Sequence, residues 1–259
     1  DHFRGFESYW AIPAGDRTAA GGCWRKGPGM DFVGAIKAAL PDLEIIAEDL
    51  GYVTPEVRKL QEDSGYPGMK IMQFAFDSRE AGNYLPHTYP ENSVVYSGTH
   101  DNPTLVQWLS EVAKSDLAEG KAYLGLTEEE GVVKGLIRGC MASVSRLCVI
   151  SMQDYLELGK EARMNFPGTL SERNWTWRAK AGFASDALAQ RIYKLTKLYG
   201  RCQEVKNEKS MNGDSIKFAA GDSLFMPRIS PEDSMFKAAT ESNTQYYLMK
   251  VNPSSDKNV

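Results

Sequence analysis

Asp1, Glu48 and Asp101 each stand at or just past the end of an apolar stretch, in "DHFR", "EIIAED" and "SVVYSGTHD". When strands of a parallel sheet end this way, their following loops converge on one edge, where ligands bind. Three carboxylates facing one cleft suit glycosyl chemistry. One attacks the anomeric carbon, a second protonates the leaving oxygen and later deprotonates the acceptor, and a third steadies the oxocarbenium-like charge. Like charges held close also raise at least one pKa, leaving a proton available for the acid step. A plainer alternative exists at each position. Asp49-Leu50-Gly51 is also turn chemistry, and Thr99-His100-Asp101-Asn102 also suits the cap of a helix starting near Thr104.

The elements that would position these acids alternate. Strands are expected at 44–49, 69–76, 93–98 and 146–152, each nearly continuously apolar, as in sheets covered on both faces. Helices are expected at about 31–40, 54–63, 104–114, 127–143 and 184–199, and Thr54-Pro55-Glu56 is a good helix start. Such alternation implies an α/β fold, either a doubly wound sheet or a (β/α)8 barrel. After "KLYGRCQ" the text turns polar, so a boundary is expected near 203, giving a domain over 1–203 and a C-terminal extension over 204–259. Within the extension, "SIKF", "SLFMPRI" and "TQYYLMKV" read as short strands, restricted to an edge or hairpin by Pro227 and Gly221-Asp222.

Composition narrows the function classes. Of 259 residues, 42% are hydrophobic and 25% charged, and the formal net charge of −4 offers no basic footprint for nucleic acid or an anionic membrane. No apolar run is long enough to span a bilayer. Cys23, Cys140, Cys148 and Cys202 lack CxxC spacing, which favours reduced thiols. His2, His87 and His100 form no HxH or HxxxH pair, so no metal is expected. The aromatic residues Tyr9, Trp10, Trp24, Trp175 and Trp177 suit either packing or stacking on the apolar faces of sugars. Met69, Met72, Met152 and Met164 read as core fillers, and Arg163 and Arg178 as bidentate partners of carboxylates.

The blocks "DHFRGFESYWAIPAGDRTA", "GCWRKGPG", "IIAEDLGYVTPEV", "GYPGMKIMQFAF", "LPHTY", "VVYSGTHDN", "MQDYLELG", "ARMNFPG" and "NWTWR" resemble, in order, those of the 4-α-glucanotransferases known as amylomaltases or disproportionating enzymes. The likeness runs from Asp1 to about Arg201. It implies a (β/α)8 barrel that cuts an α-1,4-glucan, holds the donor as a covalent glycosyl ester and passes it to another glucan, with no cofactor. By motif position Asp1 is the implied nucleophile, Glu48 the acid/base and Asp101 the transition-state stabiliser. His2 and His100 are implied donors to sugar hydroxyls, with Asn165, Phe74 and Trp10 as further substrate positions.

The family usually carries an arginine two residues before the nucleophile, with the first barrel strands earlier still. The resemblance therefore implies the C-terminal half of a TIM barrel, cut at its catalytic aspartate and inactive alone. Pro103 stands where the family commonly has an acidic residue. The compartment stays open between a bacterial cytoplasm and a plastid stroma. An α-glucan hydrolase of the α-amylase clan and a non-catalytic glucan-binding homologue are the alternatives.

Overall fold

The computed structural model describes residues 2–51, 53–80 and 84–202. Asp1 and the whole of the expected extension, 204–259, lie outside the described residues. The chain opens with a short helix, α1 (Arg4–Glu7), then a two-stranded antiparallel hairpin, β1 (Ser8–Ala11) and β2 (Cys23–Lys26), in register Trp10 to Trp24. Helices α2 (Gly29–Ala39) and α3 (Pro55–Ser64) follow. Next come β3 (Gly68–Ile71), a 3-10 turn over Met72–Phe76, and β4 (Ser93–Tyr96). Three helices, α4 (Leu105–Glu111), α5 (Lys114–Leu124) and α6 (Val132–Ala142), lead to β5 (Leu147–Val149). The short α7 (Met152–Tyr155) and the long α8 (Asp186–Leu198) complete the described elements.

Strands β3, β4 and β5 form a parallel sheet in that order, with an isolated parallel bridge from Ala47 to Gly68 beyond β3. The fold is therefore α/β, and strands expected at 69–76, 93–98 and 146–152 sit at its centre in shortened form. The stretch 69–76 turns into 3-10 geometry after Ile71, which buries Met72, Gln73 and Phe76. The expected strand at 44–49 contracts to the single bridge at Ala47, because its next contact runs through a side chain. Asp49 Oδ1 accepts from Met69 N at 2.6 Å, where a ladder bond to a backbone carbonyl would otherwise form.

Helix ends follow their local chemistry. Thr54, Thr104 and Ser185 accept backbone N–H bonds from Val57, Gln107 and Leu188, and each such cap contributes about 1 kcal/mol. The expected helix over 104–114 stops at Glu111, and α5 was not anticipated because its apolar positions, spread around the axis, leave no periodic stripe. The large core gathers Met72 and Phe76 with Val95, Leu105 and Trp108, then Leu136, Ile137 and Cys140 of α6 and Leu188 and Ile192 of α8. Each such fully buried apolar side chain stabilises by about 1.5–3 kcal/mol. Gly139 lets α6 approach closely, since a Cβ there would come 2.9 Å from Leu124 and 3.3 Å from Met72. Arg201, almost wholly buried, donates to the carbonyls of Met141, Ser143 and Ser145, satisfying oxygens in the last turn of α6 and just after it. A second, smaller core holds Phe3, Ala47, Val57 and Leu60.

Candidate active site

The candidate residues gather along the edge where the parallel strands end. Glu48 directly follows the Ala47 bridge, Phe74 lies three residues past β3, and His100 and Asp101 lie just past β4. Residues 2 and 3 run beside Glu48: Phe3 N donates to Glu48 O at 2.8 Å, and His2 N donates to Glu48 Oε2 at 3.2 Å. His2 has φ 22°, outside the usual range for a residue with a Cβ, a kind of strain found at ligand sites. Asp1, the expected nucleophile, is outside the described residues, so the direct neighbours of Glu48 here are the two that follow it.

Asp101 is held on more sides. Its Oδ1 accepts from Asn165 Nδ2 at 2.6 Å, and its Oδ2 faces His100 Nε2 at 3.4 Å. Its backbone N donates to Thr99 Oγ1 at 3.3 Å, and its carbonyl accepts from Arg163 Nη2 at 2.6 Å. The capping alternative for this stretch is not realised. Thr104 caps α4, and Asn102 Oδ1 accepts from Thr99 N and Oγ1, both at 2.8 Å. The Asp101 carboxylate is thus left half-exposed, with its oxygens facing the side chains of Asn165 and His100 rather than a helix end. At Asp49, by contrast, the carboxylate serves the backbone of β3, with Lys70 Nζ at 3.9 Å.

The loop carrying His100 and Asp101 is fastened at both ends by a buried acid. Asp154 Oδ2 accepts from Ser97 Oγ at 2.6 Å and its Oδ1 accepts from Leu105 N at 2.8 Å. Burial pushes the Asp154 carboxyl above the ordinary range, against the lowering by the hydrogen bonds it accepts. Midway, Gln73 Nε2 donates to Pro103 O at 2.8 Å, so Pro103 contributes an acceptor from a fixed backbone. Gly98 permits this crowding: a Cβ there would come 2.6 Å from Gln73 Nε2 and 3.2 Å from Asn102 Cβ.

The segment 163–178 closes over that loop. Asn165 N donates to His100 O at 3.1 Å, and Trp175 N donates to Met164 O at 2.7 Å. Trp175 takes φ 66°, and its half-exposed ring lies 4.7 Å from the His100 ring, tilted by 40°. The packing alternative for Trp175 therefore gives way to a rim position against a candidate sugar donor. Arg163 and Arg178 differ from expectation. Neither pairs with a carboxylate: Arg163 bonds the carbonyls of Asp101 and Asn165, and Arg178 those of Trp175 and Trp177, because turning loops leave carbonyls without ladder partners.

Phe74 and Trp10 stand further off. Phe74 is half-buried, edge-on to Tyr84 at 5.3 Å, and lines a recess of about 370 Å³ with Asp77, Ser78 and Asp116. Trp10 packs edge-on against Trp24 at 5.4 Å on the hairpin, with its Nε1 donating to Ala19 O at 2.9 Å. Asp154 is the residue that sequence reasoning passed over. In the sequence Asp154 reads as an ordinary first-turn acid behind the Ser151 cap, so its burial gave no signal there.

Among the described residues no His, Cys, Asp or Glu side chains cluster as metal ligands do, and no helix is long and apolar enough to cross a membrane. A sequence profile of the 4-alpha-glucanotransferase family matches residues 1–184. A 4-alpha-glucanotransferase of Clostridium butyricum is 51% identical over 205 residues, covering 78% of this chain and 42% of its own length. The chloroplastic/amyloplastic 4-alpha-glucanotransferase of Solanum tuberosum is 41% identical over 204 residues, covering 78% and 35%. The amylomaltase of Streptococcus agalactiae, solved in complex with acarbose, superposes with a TM-score of 0.73 at 35% identity, covering 78% of this chain and 41% of that one. The chain thus spans about two fifths of the length of the curated relatives it matches. With its parallel sheet edge, its ordered motifs and these likenesses, the chain belongs to the 4-alpha-glucanotransferase family.

Proposed function

We propose that these residues form part of a retaining 4-α-glucanotransferase that moves α-1,4-glucan segments between maltooligosaccharides, on the C-terminal half of a (β/α)8 barrel. Asp1 attacks the anomeric carbon and forms a glycosyl ester, while Glu48 protonates the departing 4-oxygen. Glu48 then takes the proton of the incoming 4-hydroxyl, and the ester breaks as the new glycosidic bond forms. Two inversions at one carbon retain the α configuration. Asp101 stabilises the positive charge that develops on the ring. His2, His100 and Asn165 supply donors to sugar hydroxyls, and Trp10 and Phe74 apolar faces.

The observation that carries this reading is the common edge. His2 N meets Glu48 Oε2 at 3.2 Å, and Asn165 fixes a half-exposed Asp101 at 2.6 Å past the end of β4. An exposed, directed carboxylate on the sheet edge that also carries a second carboxylate suits charge stabilisation better than folding. The matched segment makes up about two fifths of the curated relatives, and the transfer reaction is proposed for a barrel that these residues complete together with the segments the relatives carry beyond it. The setting expected is a bacterial cytoplasm or a plastid.

The test grafts residues 1–201 in place of the matching segment of the Clostridium butyricum relative. The chimera should convert maltotriose into glucose and longer maltooligosaccharides. Asp1→Asn and Glu48→Gln should each lower that rate by roughly 10³-fold or more. With an α-glucosyl fluoride donor, fluoride should leave and a glycosyl adduct should appear on the peptide holding Asp1 in the Glu48→Gln variant. A folded chimera that yields only glucose and maltose would favour the hydrolase, and an adduct elsewhere would remove Asp1 from its role.

A further inference from the structure

Arg163 commits one edge of its guanidinium to two backbone oxygens. Nε donates to Asn165 O at 2.9 Å and Nη2 to Asp101 O at 2.6 Å. Between these two bonds lie two more, Asn165 N to His100 O and Asn165 Nδ2 to Asp101 Oδ1. Three hydrogen bonds therefore tie residues 100–101 to 163–165, the fourth bracing 163 against 165, and only one of them touches the carboxylate. The Phe166 ring covers the guanidinium at 4.7 Å, and Glu111 and Asp101 supply the nearby negative charge.

We propose that Arg163 is a positioning residue, aiming the Asp101 carboxylate by bridging the carbonyls of Asp101 and Asn165. This rests on the assignment of Asp101 as transition-state stabiliser. An exposed carboxylate on a loop has no packing to fix its direction, and its orientation must come from directional bonds. The guanidinium is planar and permanently charged, so its fork holds two acceptors at a set separation, which a lysine point charge does not. With the two carbonyls held at this separation, Asn165 Nδ2 stands 2.6 Å from Oδ1. Misplacement of a reacting group by about 1 Å costs on the order of 10²-fold in rate, so the consequence should be kinetic.

The experiment uses the chimera with Arg163→Gln, Arg163→Lys, Asp101→Asn and the two double variants, assayed on maltotriose. Arg163→Gln should lower kcat roughly 10- to 100-fold with KM held within about twofold, and Arg163→Lys should recover little of it. In the Asp101→Asn background, removing Arg163 should change the residual rate by less than about twofold, because the group being aimed has lost its charge. Equal losses in both backgrounds, or full activity in Arg163→Lys, would overturn the inference. If Arg163→Gln does not fold, the Lys variant carries the same cycle. Intact transfer in Asp101→Asn alone would instead sink the functional assignment on which the inference stands, and the two failures are thus told apart.

Discussion

The two sides of the sheet edge are built differently. Around Asp101, both ends of the loop are fastened to Asp154, the carboxylate meets Asn165 and His100, and the large core lies beneath. Around Glu48, the support is a backbone pairing with Phe3, one bond from His2 N, and a core of four buried residues. The difference separates two ways of holding an acid. The proposed roles fit that contrast: a charge stabiliser gains from a fixed direction, whereas an acid/base that serves first a leaving oxygen and then an incoming one tolerates less restraint.

The largest test of that contrast replaces the acid itself on each side of the edge. Asp154→Ala leaves the buried Ser97 hydroxyl and Leu105 N–H without an acceptor and should destabilise by about 3 kcal/mol or more. Glu48→Ala, which releases only a bond to an exposed backbone N–H, should cost less than about 1 kcal/mol. Urea unfolding of both variants checks the pair, and equal losses would erase the distinction. Next come the two cores. Leu136→Ala in the large cluster should cost about 4 kcal/mol and Leu60→Ala in the small one about 2 kcal/mol, since the smaller cluster can collapse around the gap.

The smallest effect is a slope. The Asp154 carboxyl titrates above the ordinary 3.8 because it is buried, so the folded state binds its proton more tightly than the unfolded chain does. Its contribution is fully present below that value and is lost as pH rises through the raised folded pKa. Relative to Asp154→Asn, the protein should therefore lose stability with pH from about 4 upward. Unfolding curves at a series of pH values should show the two lines diverging in that direction, and parallel lines would contradict it.

Much of this arrangement was legible before the fold. Apolar runs bounded by turns marked β3, β4 and β5, because strands covered on both faces leave no alternation to obscure them. The caps at Thr54 and the positions of Glu48 and Asp101 at strand ends were equally readable. The hairpin of Ser8–Ala11 and Cys23–Lys26 was not, because eleven residues separate its strands and no short turn signature joins them. Nor was the bracket of Arg163, Asn165 and Trp175. The bonds that hold it across the site go to the backbone oxygens of His100 and Asp101, more than sixty residues away, and a carbonyl has no letter in the sequence. The charge of Arg163 suggested a carboxylate, while the geometry of an open loop gave it carbonyls instead.

The Asp154 clamp has one more consequence. Because Ser97 and Leu105 are joined through a single side chain, the stretch between them is a closed ring whose base does not depend on what the ring contains. Lengthening such a ring costs little, about 0.6 kcal/mol for each doubling. The length of the loop is then separate from its anchorage: residues can be added between Gly98 and Thr104 while Asp154 keeps Ser97, Leu105 and the sheet below as they were.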